Sequence, residues 1–290
     1  MGIIFIFIDG LGIGEDDISK NPVKAASTPN IDHITSHFKV FPTDACLGVP
    51  GLPQSATGQT AIFTGVNASI AVGRHISGQP DTALKKIINE NNLFIELAKR
   101  GYSFTNSNVY RDKYLESLLS PENHTIKPSV TSVMTLSSGI KPRTVEDYKK
   151  GNGIYHDITG NILKESGFDV DIISPKEAAL RLFNISRNYS FTLFEHFMSD
   201  IVGHSMDMEL AKTEIELLDE FLGGLFNLLD FEKDIVVITS DHGNIEDISL
   251  KTHTFNKVPT VVAGIPDGLD IRIESLTDIM PAVLNMIGAK

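Results

Sequence analysis

Four short runs constrain this chain most: Ile3–Ile8 (IIFIFI), Ser190–Phe194, Ile235–Ile238 and Val258–Val262. They are continuous rather than alternating. A strand with one wet face alternates apolar and polar residues, so these read as strands buried on both faces of a sheet. None approaches the ~20 apolar residues that a bilayer span needs. The first run stops at Asp9 and has no basic residue before it. A secretory leader needs a longer apolar region behind a positive start. The expectation is a cytoplasmic protein with no membrane partner.

Helical patterns separate the runs. Asn92–Arg100 carries Leu93, Ile95, Leu97 and Ala98, with Gly101 as a stop. Ser174-Pro175 supplies a cap and a first-turn proline for a helix running toward Arg187. Met208–Leu229 reads as a long amphipathic helix and Asp278–Ile287 as the last one. Strands alternating with helices predict an α/β layered fold, with a mostly parallel central sheet and helices on both faces. Arg111 to Gly167 is rich in Ser, Thr, Pro, Lys and Asn and weakly periodic. It reads as a small inserted cap (111–167) on a core made of 1–110 and 168–290. The oligomeric state is left open by the sequence.

Hydrophobic residues make up 41% of the 290, enough for a sizeable core. The formal net charge of -12 opposes nucleic-acid partners and anionic membranes. A bound cation could reverse that field locally, so phosphate esters are not excluded. The single cysteine, Cys46, rules out an internal disulfide and reads as a small buried apolar residue. The glycines of GLGIG after Asp9 lack the GxGxxG spacing of a dinucleotide site, and an acid precedes them.

Acids and imidazoles gather where strands end. Asp9 follows the first run, Asp200 and His204 follow the second, Asp241 and His242 the third, and His253 precedes the fourth. Singly, an aspartate after a strand is more often a helix cap, and an i,i+4 Asp–His pair adds only a few tenths of a kcal/mol. Together they have the ligand chemistry of zinc or manganese. Ser55, in GLPQSATGQT, sits where a helix should begin, at the dipole end that favours an anion. An ordinary cap explains it equally well in isolation. Beside metals its hydroxyl could act as a nucleophile. Thr57 is a second, lesser candidate.

Taken together, these motifs resemble the alkaline phosphatase-like metalloenzyme superfamily. The branch most similar contains cofactor-independent phosphoglycerate mutase and phosphopentomutase, along with short members without an assigned substrate. The resemblance implies an alkaline phosphatase-like layered fold with two divalent ions, manganese or zinc, with magnesium a further candidate. It implies one ion on Asp200, His204 and His253, another on Asp9, Ser55, Asp241 and His242, and Ser55 as the phosphorylated nucleophile. Two departures stand out. The mutases have Gly-His after the nucleophile where this chain has Gly58-Gln59, and they carry a larger cap with phosphate-gripping arginines. Arg74, His75 and Asn108 are the candidate substrate contacts, each with an ordinary loop or turn role as the alternative.

The expected activity is hydrolysis of a small phosphate monoester through a phosphoserine. The modest cap, with its scattered Lys113, Lys127, Arg143, Lys149 and Lys150, is a poor retainer of a half-reacted intermediate. A phosphomutase is the first alternative. A sulfatase is the second, although SATGQ lacks that group's Pro and Arg. The third is a metal-stabilised binding protein without catalysis.

Overall fold

In a computed structural model, which describes residues 2–119 and 126–289, the predicted strands fall in one six-stranded sheet. The strands are β1 (Ile3–Ile8), β2 (Lys39–Thr43), β3 (Phe104–Asn106), β6 (Phe191–His196), β7 (Ile235–Thr239) and β8 (Val258–Ala263). Two short strands, β4 (Val109–Tyr110) and β5 (Arg143–Thr144), pair separately. The sheet order is β2-β8-β7-β1-β6-β3. β1 pairs in parallel with both β6 and β7, and β3 with β6. β8 is antiparallel to β7 and to β2, so of the six it alone runs against the rest. β2 had no clear sequence signal: it contains Pro42 at the sheet edge.

β1 shows why the runs are continuous. Ile3, Phe5 and Phe7 enter one core layer with Phe63, Phe94, Met134 and Val283. Ile4, Ile6 and Ile8 enter the other with Leu182, Phe194 and Phe221. Each residue of the strand therefore leaves water completely, at ~1.5–3 kcal/mol per large apolar side chain.

The helix reading survives with adjusted ends. Helix Leu93–Lys99 is capped by the Asn92 side chain, which accepts from the Ile95 N–H. Helix Pro175–Ser186 begins as expected, with Ser174 accepting from the Glu177 N–H. The long helix is Met208–Phe226 and the last is Ile279–Ala289. The described residues between 111 and 167 are more ordered than the composition suggested. Helix Val130–Ser137 places Val130, Val133 and Met134 in the first core layer. Val145, Tyr148, Ile154 and Leu163 join the second. Helix Asp112–Leu119 lies outermost, with Ser117 its one buried residue. Cys46 is half-buried, less than expected.

Candidate active site

The strand directions assemble the site. β7, β1 and β6 are neighbours and parallel, so their carboxyl ends share one edge. Asp9, the pair Asp241–His242 and the Asp200–His204 turn emerge there side by side. β8 runs the other way, so the chain enters it from that same edge. This brings His253, which precedes β8, to the histidines that follow β7. The Thr254 N–H donates to the Gly243 carbonyl at 3.0 Å and fixes that approach.

Helix Ser55–Thr64 delivers the hydroxyl. Every residue from Ala56 to Thr64 is buried, and Phe63 packs on Phe5 and Phe7 with centroids 5.7 and 6.0 Å apart. The first turn is therefore held rigidly over the sheet edge. Ser55 Oγ lies 3.1 Å from His242 Nε2. The same nitrogen is 3.3 Å from Asp9 Oδ1 and 3.7 Å from Asp241 Oδ1. Gln59, one turn on, donates to Asp241 Oδ2 at 3.0 Å. That hydrogen bond orients the carboxylate.

His204 and His253 are fixed in a matching way. Nδ1 of His204 bonds to the Lys251 carbonyl at 2.9 Å, and Nδ1 of His253 to the Pro53 carbonyl at 2.8 Å. A carbonyl can only accept, so each Nδ1 carries a proton and each Nε2 is left to face inward. Both Nε2 atoms face Asp200, at 3.5 Å for His204 and 3.6 Å for His253. These separations are too long for good hydrogen bonds. They suit a cation held among the three.

Burial sharpens the demand for cations. It pushes Asp9 well above the ordinary carboxylate range, with Asp241 and Asp200 adding repulsion. Asp241 is pushed up to about 7 by burial, opposed by the Gln59 hydrogen bond and reinforced by Asp200. His242 is pushed down to about 3 by burial and then by His253, which stacks on it at 3.7 Å. A neutral His242 makes no ion pair with Asp9 or Asp241, despite the short distances. Asp9 Oδ1 and His242 Nδ1 are buried without hydrogen-bond partners. Such orphans cost ~1–3 kcal/mol each, and ligation would satisfy them. Two sets of ligand atoms converge: Asp200, His204 and His253, and Asp9, Asp200 and His242. Asp200 belongs to both, so the two clusters are joined. The donor set fits borderline-soft divalent ions.

By sequence alone Glu246 and Asp247 read best as acids of a solvated loop, with orientation of a histidine as the alternative; the structure divides them. Asp247 does cap a local turn at Ser249. Glu246 is buried. Its Oε2 accepts from the N–H groups of Gly12 at 2.9 Å and Asn244 at 2.7 Å. Its Oε1 accepts from the Thr254 hydroxyl and from Asn256 at 3.1 Å. One carboxylate thus ties together the loops after β1 and β7 and the loop before β8. Gly12 and Gly243 follow from this. A Cβ on Gly12 or Gly243 would lie 2.2 Å from Glu246 Oε1. Asn244 donates to Asp200 Oδ1 at 2.7 Å and aims it.

Other sequence candidates are placed elsewhere. The Thr57 hydroxyl donates to the Gln54 carbonyl and accepts from the Ile76 N–H, so it is spent on backbone. The N–H groups of Ala56 and Thr57 both donate to the Ile76 carbonyl. The helix terminus therefore offers its dipole but not these amides. Asn108 pairs both ends of its amide with the Glu195 backbone, at 2.7 and 2.8 Å, which makes it a strand clamp. His75 bonds Ser69 and the Val49 carbonyl through its two nitrogens. Arg74 is exposed beside Asp81. Neither lines the cleft over the site.

That cleft has a volume of ≈ 1260 Å³. Asp9, Ser55, Gln59 and Asp200 form one wall, and Arg111, Lys113 and Lys127 contribute to the other. Arg143 and Lys149 are engaged instead with the Asn106 and Asn152 carbonyls and with Glu146. Arg111 opens the weakly periodic stretch, and nothing local marked it out.

The model of a family described as the Metalloenzyme superfamily matches residues 1–290. A 2,3-bisphosphoglycerate-independent phosphoglycerate mutase of Roseobacter denitrificans is 32% identical over 112 residues, covering 36% of this chain and 22% of that protein. The match thus spans less than a quarter of that relative's length. Among solved structures, Leishmania mexicana phosphoglycerate mutase at low cobalt concentration superposes with a TM-score of 0.55 at 15% identity, covering 99% of this chain and 95% of that one. An alkaline phosphatase from the Antarctic bacterium TAB5 superposes with a TM-score of 0.50 at 14% identity, covering 100% and 98%. The fold is alkaline phosphatase-like: a mixed six-stranded sheet with helices around it.

Proposed function

Starting from the fact that the chain belongs to the Metalloenzyme superfamily, we propose that it hydrolyses a small phosphate monoester through a phosphoserine at Ser55. The observation that carries this reading is Ser55 Oγ at 3.1 Å from His242 Nε2, at the mouth of two carboxylate–imidazole clusters joined by Asp200. A purely structural metal site is closed by permanent ligands, and a serine hydroxyl is a poor one.

Two divalent ions, one on Asp200, His204 and His253 and one on Asp9, Ser55, Asp241 and His242, would supply Lewis acidity at the attacking and leaving oxygens. The residues do the rest. The buried helix Ser55–Thr64 holds Oγ in place, so little orientational freedom is lost on attack. Ser55 Oγ gives up its proton and bonds to phosphorus while the ester P–O bond breaks and the alcohol leaves with a proton. Water then attacks phosphorus, the P–Oγ bond breaks and Ser55 regains its hydrogen. Lys113 and Lys127 on the far wall meet the negative charge of the arriving ester. Residues 111–167, which supply that wall, are proposed to set substrate choice.

The name of the mutase relative favours a second reading, transfer of the phosphoryl group to another hydroxyl of the same substrate. The exposed lysine wall is a weak barrier to water and favours hydrolysis. The test is turnover of para-nitrophenyl phosphate with manganese or zinc, before and after chelation, in wild type and Ser55→Ala. Metal-dependent turnover is expected, with a mass increase of one phosphoryl group on the peptide holding Ser55. Undiminished turnover in Ser55→Ala would remove Ser55 as nucleophile. Phosphate transfer without free phosphate would establish the mutase reading.

A further inference from the structure

A pouch of ≈ 190 Å³ opens beside the cleft. Arg111, Tyr114, Ser129, His156 and Phe197 line both spaces, so the pouch is reached from the Ser55 side. Phosphoryl transfer makes no use of it. Its walls are largely rings. Tyr110 and Tyr114 lie nearly parallel, 6° apart with centroids separated by 5.7 Å. His156 sits between Tyr155 and Phe197, with centroids at 4.2 and 5.3 Å.

The polar groups around these rings are engaged with each other or shut away. The Tyr114 hydroxyl pairs with Ser132 at 3.0 Å, and Ser132 with Ser129 at 2.9 Å. The Tyr110 hydroxyl accepts from Asn106 at 3.1 Å. Asn108 uses both ends of its amide on the Glu195 backbone. Glu195 Oε2 accepts from the Thr131 hydroxyl at 2.5 Å. Its Oε1, like Nδ1 of His156, is buried beneath the surface rather than open to the pouch. Burial raises Glu195 to about 8 and lowers His156 to about 3, so both are mostly neutral at pH 7. Arg111 is then the one full charge among the lining residues, and it stands where pouch and cleft meet.

These walls narrow the occupant. A polar guest would give up its water and find few open partners in return, which is costly. An apolar guest has no such loss. An engineered cavity of ~150 Å³ holds one benzene, so this pouch takes a group about the size of one six-membered ring. A flat ring meets tyrosine and phenylalanine in offset or edge-to-face contact, a gain beyond buried area that a puckered aliphatic ring does not have. Arg111 at the junction leaves the charged end of such a molecule on the cleft side.

We infer that this pouch is the subsite for the leaving alcohol of the substrate, and that this alcohol carries a single aromatic ring, seated in the pouch with its phosphate on the Arg111 side. The role rests on the phosphate-ester reading; the binding test does not. Phenol and benzyl alcohol are titrated against the chelated protein by ligand-observed NMR, with cyclohexanol and glycerol as comparators. Saturable binding of at least one aromatic alcohol is expected, about threefold or more tighter than cyclohexanol, with glycerol weaker still. It should weaken about fivefold or more in Tyr114→Leu and in Phe197→Ala. The first lies on helix Asp112–Leu119 and the second in the turn after β6, so if one fails to fold the other still decides. No aromatic binding to wild type, cyclohexanol or glycerol binding equally well, or undiminished binding in a folded variant would overturn the inference. Ser55-dependent turnover without aromatic binding would sink the pouch alone. Aromatic binding without that turnover would sink the reaction, and with it the leaving-group role, while the ring site stood.

Discussion

The two walls of the cleft are built on different terms. On the sheet-edge wall most functional side chains are held at a second atom. His204 and His253 are held by carbonyls, Asp241 by Gln59 and Gly10, Asp200 by Asn244, and the loops themselves by Glu246. On the opposite wall, Arg111 and Lys113 are exposed, and among the described residues the Arg111 side chain makes a single hydrogen bond, a 3.5 Å contact to Ser166. Preorganised groups stabilise developing charge without reorganising at the moment of reaction, whereas loosely held cations attract and release. The contrast supports the proposed division, chemistry at the first wall and capture at the second.

The largest effect is expected from the residue shared by both clusters. Asp200→Ala should lower metal-dependent turnover by about 10⁴-fold or more, as for groups that act as a unit. Calorimetric titration should show fewer manganese ions bound. A variant that kept full stoichiometry would break the picture of joined sites.

Glu246→Ala comes next. It leaves four donors from three loops without their acceptor. A loss of about 3 kcal/mol of stability is expected, together with metal affinity weaker by about 10–100-fold. Denaturant unfolding and metal titration measure the two separately. An unchanged metal affinity would make Glu246 a packing element only.

On the opposite wall the effect should be smaller and of another kind. Replacing Lys113 and Lys127 together by alanine should raise KM about tenfold while kcat stays within about twofold. A fall in kcat with KM unchanged would move these lysines into the chemistry and erase the contrast. Arg74→Ala should leave both constants unchanged, because Arg74 lies outside the cleft.

The smallest effect is in pH. Glu195 is raised by burial from 4.5 to about 8, and Asp241 from 3.8 to about 7. A raised carboxyl holds its proton longer in the folded state, so its share of stability is lost as pH rises toward the folded value. His242 is depressed from 6.5 to about 3, so its share is lost as pH falls below 6.5. Between pH 6.5 and 8 the acids act alone. The melting temperature of the chelated protein should decline across that window, less so in Glu195→Gln, and divalent metal should restore it. A flat profile would mean that burial is less complete than the geometry implies.

Residue types and local order determined a good deal. Continuous apolar runs fixed the buried strands, since only a strand covered on both faces can dispense with polar alternation. The candidate ligand pairs could be read because strand, acid and imidazole lie within a few residues of each other. Tertiary structure decided what is distant in sequence. The reversal of β8 brings His253 to the edge where the parallel strands end, and no spacing encodes a strand's direction. Glu246 read as a loop acid because its donors include Gly12, 234 residues away. The hydrogen bonds of Asn108 and His75 could not be read from sequence, because a side chain's partners, unlike its chemistry, are invisible until the chain closes around it. The place of Arg111 in the cleft arose in the same way, from elements whose juxtaposition is set by packing rather than by sequence neighbours.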